Sequence, residues 1–382
     1  MPGQSRRRKG LTTALVVGAG PAGASAALAL LRQGVDVTIL ERRPRLGPRV
    51  CGAFLGAEAL GHLDTFGLGD LARARGVPVP FTWVSVGSGK ERRVDFPTPG
   101  LALPRPELEG LLLDAVKERG GKVLWGVSGK PAGPGALTVQ GPGLTPADPS
   151  GFMADHVIWA DGRFSGQESI VLDKKEPAWY GWNAPFSGVR QNPGEMSLYF
   201  LPDGYAGLLT FKDGTSNLCG LKRRRGAPLE WGTVFEEAKA QSSGLRRRME
   251  QAALLSPWQG VGPLPFTGGL RPDDGAIRVG DAAAVGDPFM GEGIGRALGS
   301  GAFLVQAWSL WSAGDGSLES NFRRLWRKSY GRRFQLGNAV RWGLNHPRLS
   351  SLLVGSALAL PGFTRFLPPL FHGAQRIRAT TS

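Results

Sequence analysis

The sequence predicts an α/β protein in which a Rossmann-like dinucleotide-binding domain is interleaved with a domain of antiparallel β-sheet and followed by C-terminal helices. Three observations predict it. The stretch "ALVVGAGPAGASAALALLRQGVDVTILER" reads as strand, glycine-rich turn, helix, strand and terminal acid. Two later strand-like runs end in Asp161-Gly162 and in Gly280-Asp281. Residues 176–262 are short aromatic and β-branched runs separated by Asp-Gly turns.

In the first unit, Ala14 to Val17 is a short buried strand, Ala24 to Gln33 a helix closed by Gly34, and Val35 to Leu40 a second strand that ends in Glu41. Between them, Gly18-Ala19-Gly20-Pro21-Ala22-Gly23 is Gly-x-Gly-x-x-Gly. Gly18 permits the sharp turn, Gly20 lets backbone approach a pyrophosphate, and Gly23 lets the helix pack closely on the strand. The helix start offers unpaired N–H groups and the positive end of a dipole to the phosphates. Glu41 is placed to accept the hydroxyls of an adenosine ribose.

The basic cluster Arg6 to Lys9 before an uncharged run also imitates an export leader. A leader has no use for the turn spacing, so residues 1–10 are expected to be a disordered basic tail and residue 11 onward the first domain. With 382 residues the chain can bury a large core. Its only cysteines, Cys51 and Cys219, allow no disulfide framework, and His62, His156, His346 and His372 have no metal-type spacing. No metal is expected, and a reducing, cytoplasmic compartment is the default. The net charge of +15 suits anionic partners, yet no nucleic-acid-binding signature accompanies it. Peripheral contact with an anionic membrane is the alternative use of that charge.

Further along, "DHVIWADGRFS" places a strand before Asp161-Gly162, and "GAIRVGDAAAVGDPFMGEGIGRALGSG" gives a strand, Gly280-Asp281, a Pro/Gly turn and a helix starting near Gly293. Asp281 alone would equally serve an Asx turn. Taken in order, the three motifs resemble the FAD-dependent oxidoreductases built like para-hydroxybenzoate hydroxylase, a superfamily that includes the geranylgeranyl reductases. The resemblance covers roughly residues 11–310. It implies that Gly18, Gly20, Gly23 and Glu41 hold the ADP half of FAD, that Asp161 and Gly162 lie beside the pyrophosphate, and that Asp281 takes the ribitol chain.

It also implies cofactor contacts for Ala19, Pro21, Ala22, Arg42, Arg49, Arg105, Val127 and Ile294. Pro288, Gly291 and Gly293 would set a helix start against the flavin pyrimidine, where reduction leaves negative charge that N–H groups stabilise. Cys51-Gly52 resembles a Cys-Gly that lies near the flavin ring in the reductases, although a single cysteine serves as well as a small inert hydrophobe. Cys51 and Tyr205 are the candidate catalytic residues.

The implied layout puts residues 11–75, 96–175 and 263–310 in the FAD-binding domain and residues 76–95 and 176–262 in a substrate-binding sheet. Residues 311–382 form a helical region. Trp182, Tyr199, Tyr205 and Leu208 are the expected pocket walls. In "NFRRLWRKSYGRRF", Phe322, Leu325, Trp326, Tyr330 and Phe334 share one helix face. The apolar "SLLVGSALALPGFTRFLPPLF" is broken by Pro361 and Arg365 before it could span a bilayer.

A second dinucleotide motif is absent, so the resemblance implies that NAD(P)H visits the flavin transiently. It allows two reactions: hydroxylation of an apolar or aromatic small molecule through a flavin C4a-hydroperoxide, taken first, and hydride transfer to a C=C bond of a prenyl or lipid chain. The reductases' Tyr-x-Trp-x-Phe-Pro element has only "GYAGLLTF" as its nearest match, and the hydroxylases' Arg after Asp-Gly-x-x-Ser is Gln167 here. A non-catalytic basic protein that binds membrane or nucleic acid is the reading from another class.

Overall fold

The computed structural model describes residues 12–133, 136–141, 152–163, 177–224, 230–267, 269–272, 275–288 and 291–344, with side chains to residue 338. The basic tail, Ser165, Gln167 and the apolar C-terminal stretch lie outside the described residues.

The chain opens with β1 (Thr13–Val17), α1 (Pro21–Leu31) and β2 (Asp36–Glu41). α1 is buried on all sides from Pro21 to Leu30, which its run of Ala and Gly makes possible. A Cβ on Gly23 would strike the Gly18 carbonyl, and one on Gly301 would meet Ser25 O at 2.5 Å. Backbones therefore pack where side chains would otherwise stand. Next come β3 (Phe54–Leu55), α2 (Ala57–Thr65), α3 (Gly69–Arg75), the long strands β4 (Val77–Val86) and β5 (Arg92–Ala102), α4 (Arg105–Glu118) and β6 (Lys122–Trp125). A small sheet of β7 (Ser128–Gly133), β8 (Ala136–Gln140) and β9 (Phe152–Met153) precedes β10 (His156–Trp159).

The second half brings β11 (Ala178–Ser187), β12 (Met196–Leu201), β13 (Gly204–Thr210) and β14 (Ser216–Arg224). After α5 (Trp231–Gln241) and α6 (Ser243–Arg248) come β15 (Ala253–Leu254), β16 (Gln259–Val261) and β17 (Ile277–Arg278). The long helices α7 (Gly293–Ser312) and α8 (Leu318–Leu344) follow.

The first sheet runs β17-β10-β1-β2-β6 with every pairing parallel. Its strands are short and apolar, as sheets covered on both faces require. The second sheet runs β15-β11-β14-β13-β12-β4-β5-β3, with β16 also on β11. It is antiparallel except at one place: β12 lies parallel to β4. This departs from the all-antiparallel sheet expected, because β4 and β12 enter from chain segments on either side of the first sheet rather than through a hairpin.

α8 docks through Phe322, Trp326, Tyr330 and Phe334, all buried, with Leu325 partly so. Among the described residues no helix is long and apolar enough to cross a membrane. Beneath α8, His62 on α2 is buried with both ring nitrogens short of hydrogen-bond partners. Burial pulls its pKa below 6.5, with Arg333 acting the same way and Glu58 against it. The folded chain thus keeps His62 neutral while the unfolded chain protonates near pH 6.5, so its contribution is present above that pH and is lost as pH falls toward the folded pKa. His62→Gln is expected to flatten the fall in melting temperature between about pH 7 and 5. Parallel melts of both proteins across that range check it.

Candidate functional site

Parallel strands deliver their C-terminal ends to one edge, and the topology decides what meets there. β17, β10, β1 and β2 are consecutive neighbours, so Gly280-Asp281, Asp161-Gly162, the Gly18–Gly23 turn and Glu41 follow one another along that edge. Specific contacts tie them together. Ala160 N donates to Val17 O (2.9 Å), Val279 N to Trp159 O (2.9 Å) and Gly18 N to Leu40 O (2.7 Å). Gly18 sits at φ +110° with its α-carbon against the Ala160 carbonyl, a place for glycine alone. A Cβ on Gly280 would meet Ala22 Cβ at 2.5 Å.

The edge has the features of a phosphate cradle. α1 has no side-chain cap and its first internal bond is Ala24 N to Gly20 O, so Ala22 and Gly23 have N–H groups with no helix carbonyl to reach. Pro21 at the helix start has no N–H to lose. Nothing lies within 4 Å of a Cβ built on Gly20, Gly162 or Gly293, so three glycines from three separate motifs face open space. Asp161 is exposed and Asp281 half-buried, with Arg163 Nε 3.8 Å from Asp281 Oδ2. These residues suit an extended, phosphate-bearing dinucleotide.

Glu41 is more occupied than expected. Its Oε2 accepts Ala19 N (2.9 Å), and its Oε1 accepts both N and Nε of Arg43 (3.0 Å each). Burial pushes its pKa up, but these bonds win and hold it below the ordinary value. The carboxylate therefore braces the glycine turn, and a longer bond from Arg43 Nη2 to Oε2 (3.4 Å) takes its fourth acceptor direction. Arg42 is exposed, whereas Arg43 turns back to Glu41, because side chains two apart share a side of an extended chain. Sequence reasoning missed Arg43 by one position.

Arg105 opens α4 and bonds the fully buried Glu109 (2.6 Å), which lies 3.6 Å from Arg43 Nη2. Burial opposes its charge, but Cys51 and Glu109 beside it keep the guanidinium firmly protonated. Arg49 is half-buried, and burial together with Arg43 and Arg105 draws its pKa down. Three arginines thus surround two carboxylates beside the glycine turn. Val127 donates its N–H to Glu41 O (2.9 Å), and its side chain packs with Leu15, Leu40 and Trp159.

The segment from Arg49 to Ala53 is tied to the second sheet by two buried asparagines that sequence reasoning did not single out. Asn183 Nδ2 donates to Arg49 O (3.2 Å) and Asn217 Oδ1 (3.1 Å), and Asn217 Nδ2 donates to Cys51 O (2.9 Å). Asn217→Ala is expected to destabilise the protein by about 1 to 3 kcal/mol by leaving buried polar groups unpaired. Urea denaturation of both proteins measures it. The same contacts bring Cys51-Gly52 to Cys219, whose Sγ would lie 3.5 Å from a Cβ on Gly52. Burial, and then Cys51, push the Cys219 thiol up to about 12.

The expected pocket walls divide between the two faces of the sheet. Trp182, Tyr199 and Leu208 are buried in a cluster with Phe186, Val234 and Met249 under α5 and α6, so they are core and not pocket. Tyr205 lies on the other face, in register with Leu221 of β14, and Cys219 and Asn217 follow along that face opposite Gly207 and Leu209. The reason is the two-residue period of a strand: Tyr205 and Leu208 on one strand, three apart, point opposite ways. Burial raises the Tyr205 hydroxyl well above its ordinary pKa, and Cys219, Asp287 and Cys51 act in the same direction. Tyr205 is likewise buried, packed with Trp179, Leu221 and Leu264.

In that turn Asp287 is buried, Pro288 exposed, and Gly291 N donates to Pro288 O (3.0 Å) with Gly291 at φ +64°. Gly293 starts α7 and Ile294 is buried in its first turn. Cys219, Asp287 and Cys51 lie near enough to Tyr205 to act on its hydroxyl.

A parallel sheet with this edge, joined to a largely antiparallel roof, is an arrangement suited to a dinucleotide cofactor. Residues 11–167 match the family described as FAD binding domain. The chain is 35% identical over 116 residues to a 3-hydroxybenzoate 6-hydroxylase of Aquipseudomonas alcaligenes, a match over 28% of this chain and 29% of that protein. It is 26% identical to digeranylgeranylglycerophospholipid reductase 1 of Methanococcoides burtonii over 83% of this chain and 80% of that one. In fold it is similar to p-nitrophenol 4-monooxygenase of Pseudomonas putida, with TM-score 0.70 at 18% identity over 95% and 99% of the chains. Residues 11–167 thus match a FAD-binding domain, and the chain is similar to both hydroxylases and reductases, the match to the 3-hydroxybenzoate 6-hydroxylase spanning less than a third of that protein's length.

Proposed function

We propose that the protein uses FAD, re-reduced by NAD(P)H, to saturate a C=C bond in an apolar, prenyl-type substrate. The observation that carries this reading is the extent of the likeness to the reductases, 83% of this chain, together with the buried Tyr205 on the face of the roof sheet that Cys219 shares. Saturating a C=C bond needs a hydride at one carbon and a proton at the other, and Tyr205 Oη holds a proton there. Bound FAD supplies the hydride.

The cradle would be shared among the residues of the strand ends. Gly18, Gly20, Gly23 and the start of α1 take the pyrophosphate, with Arg49 and Arg105 beside it, and Asp161 and Asp281 orient the ribitol side. Gly293 to Gly295 offer N–H groups to the pyrimidine. The likeness to reductases extends through the roof sheet, where a substrate would lie, whereas the likeness to the hydroxylase is confined to a length suited to the cofactor. Where the reductases carry a tryptophan two residues after the tyrosine, Gly207 stands here, 3.6 Å from Cys219 Sγ when given a Cβ.

Hydroxylation of an aromatic molecule is the second reading, favoured by the 35% identity to the hydroxylase over 116 residues. Anaerobic turnover with NAD(P)H and a polyprenyl lipid separates the two. Saturation of the lipid with no oxygen present supports reduction; incorporation of 18O from 18O2 into an aromatic product overturns it.

A further inference from the structure

Glu292 stands at the N-cap of α7 with helical backbone (φ −91°, ψ −4°), a carboxylate on the residue next to the unpaired N–H groups of its own helix. It does not cap here. The first internal bond of α7 is Arg296 N to Glu292 O (2.9 Å), and no side chain caps the helix. Gly293, Ile294 and Gly295 therefore have N–H groups with no helix carbonyl in reach.

The reason lies on α8. Arg333 places Nε 3.0 Å and Nη2 2.5 Å from Glu292 Oε1, while its Nη1 and Nη2 bond Glu58 Oε1 (3.0 Å) and Oε2 (2.7 Å) on α2. Arg296 Nη1 adds a contact of 3.5 Å to Glu292 Oε2. The Glu292 carboxylate is only 7% exposed, and burial raises its pKa against the pull of both arginines. One guanidinium, forked between two carboxylates from different helices, thus fixes where Glu292 points.

We propose that Arg333 is a positioning residue for the flavin: by holding Glu292 away from the start of α7, it keeps that helix end open to the negative charge of the reduced ring. The inference rests on the reading of α7 as the flavin-facing helix. Without Arg333, the Glu292 carboxylate is no longer held or neutralised by that guanidinium and competes, as an internal anion beside the helix start, with the flavin. The reduced ring, which carries more negative charge, loses more than the oxidised one.

The test is to measure FAD affinity and the two-electron midpoint potential in wild type, Arg333→Met, Glu292→Ala and the double variant. Arg333→Met is expected to weaken reduced FAD at least about tenfold relative to oxidised FAD, a fall in potential of about 30 mV. Adding Glu292→Ala restores affinity and potential to within about twofold of wild type, since the competitor is gone. A loss that Glu292→Ala does not restore assigns Arg333 to helix packing and overturns the proposal, as does an unchanged potential in Arg333→Met. Should Arg333→Met not fold by circular dichroism, Arg333→Lys keeps the charge without the fork and gives the same comparison in smaller measure. Wild type that takes up no FAD overturns the flavin reading itself, which is a distinct result.

Discussion

Gly20→Asp is expected to leave the fold as stable as wild type and to reduce FAD affinity by about 1000-fold, about 4 kcal/mol. Gly20 has extended backbone at φ −71° and ψ 178°, the conformation in which aspartate caps a helix well, and open space where its side chain would go. The substitution therefore satisfies an N–H group of α1 in the absence of ligand. It places a carboxylate where the pyrophosphate belongs, so size and charge both act against binding. Melting temperature and an FAD fluorescence titration check the two halves separately. Gly23→Val is the contrasting case: its side chain would collide with the Gly18 carbonyl, so stability and binding fall together.

Tyr205→Phe is expected to slow reoxidation of the reduced flavin by an alkene substrate about 100-fold, while reduction by NAD(P)H and affinity for FAD stay within twofold. The substitution removes the proton-bearing hydroxyl without changing the ring that packs with Trp179 and Leu221. Anaerobic stopped-flow resolves the two half-reactions. Loss of both would give Tyr205 a role in holding the cofactor, and loss of neither would leave Cys51 Sγ as the proton-bearing group.

The meeting of the strand ends along one edge was legible in the sequence because each part of it is local. A strand, a glycine turn and a helix specify one another within about thirty residues, and parallel strands set their ends on one side by topology alone. The roof was less legible. A strand's hydrophobic content does not say which of two covered faces looks toward the cofactor, and Trp182, Tyr199 and Leu208 are on the face that α5 and α6 cover. Arg43 was missed for a similar reason, being one residue from Arg42 and on the opposite side. Asn183, Asn217 and the pairing of Arg333 with Glu58 and Glu292 join residues from 34 to 275 positions apart, and no local pattern announces such contacts. The parallel pairing of β4 with β12 belongs to the same class of long-range fact.

The central claim is that strand ends far apart in sequence close around one FAD. Titrating FAD into the purified wild-type protein, followed by flavin fluorescence and the visible spectrum, tests it most directly. The account predicts saturable uptake of one FAD per chain, lost together in Gly20→Asp and in Asp281→Ala. Uptake that survives both substitutions unchanged, or a protein that binds no flavin at all, would contradict it.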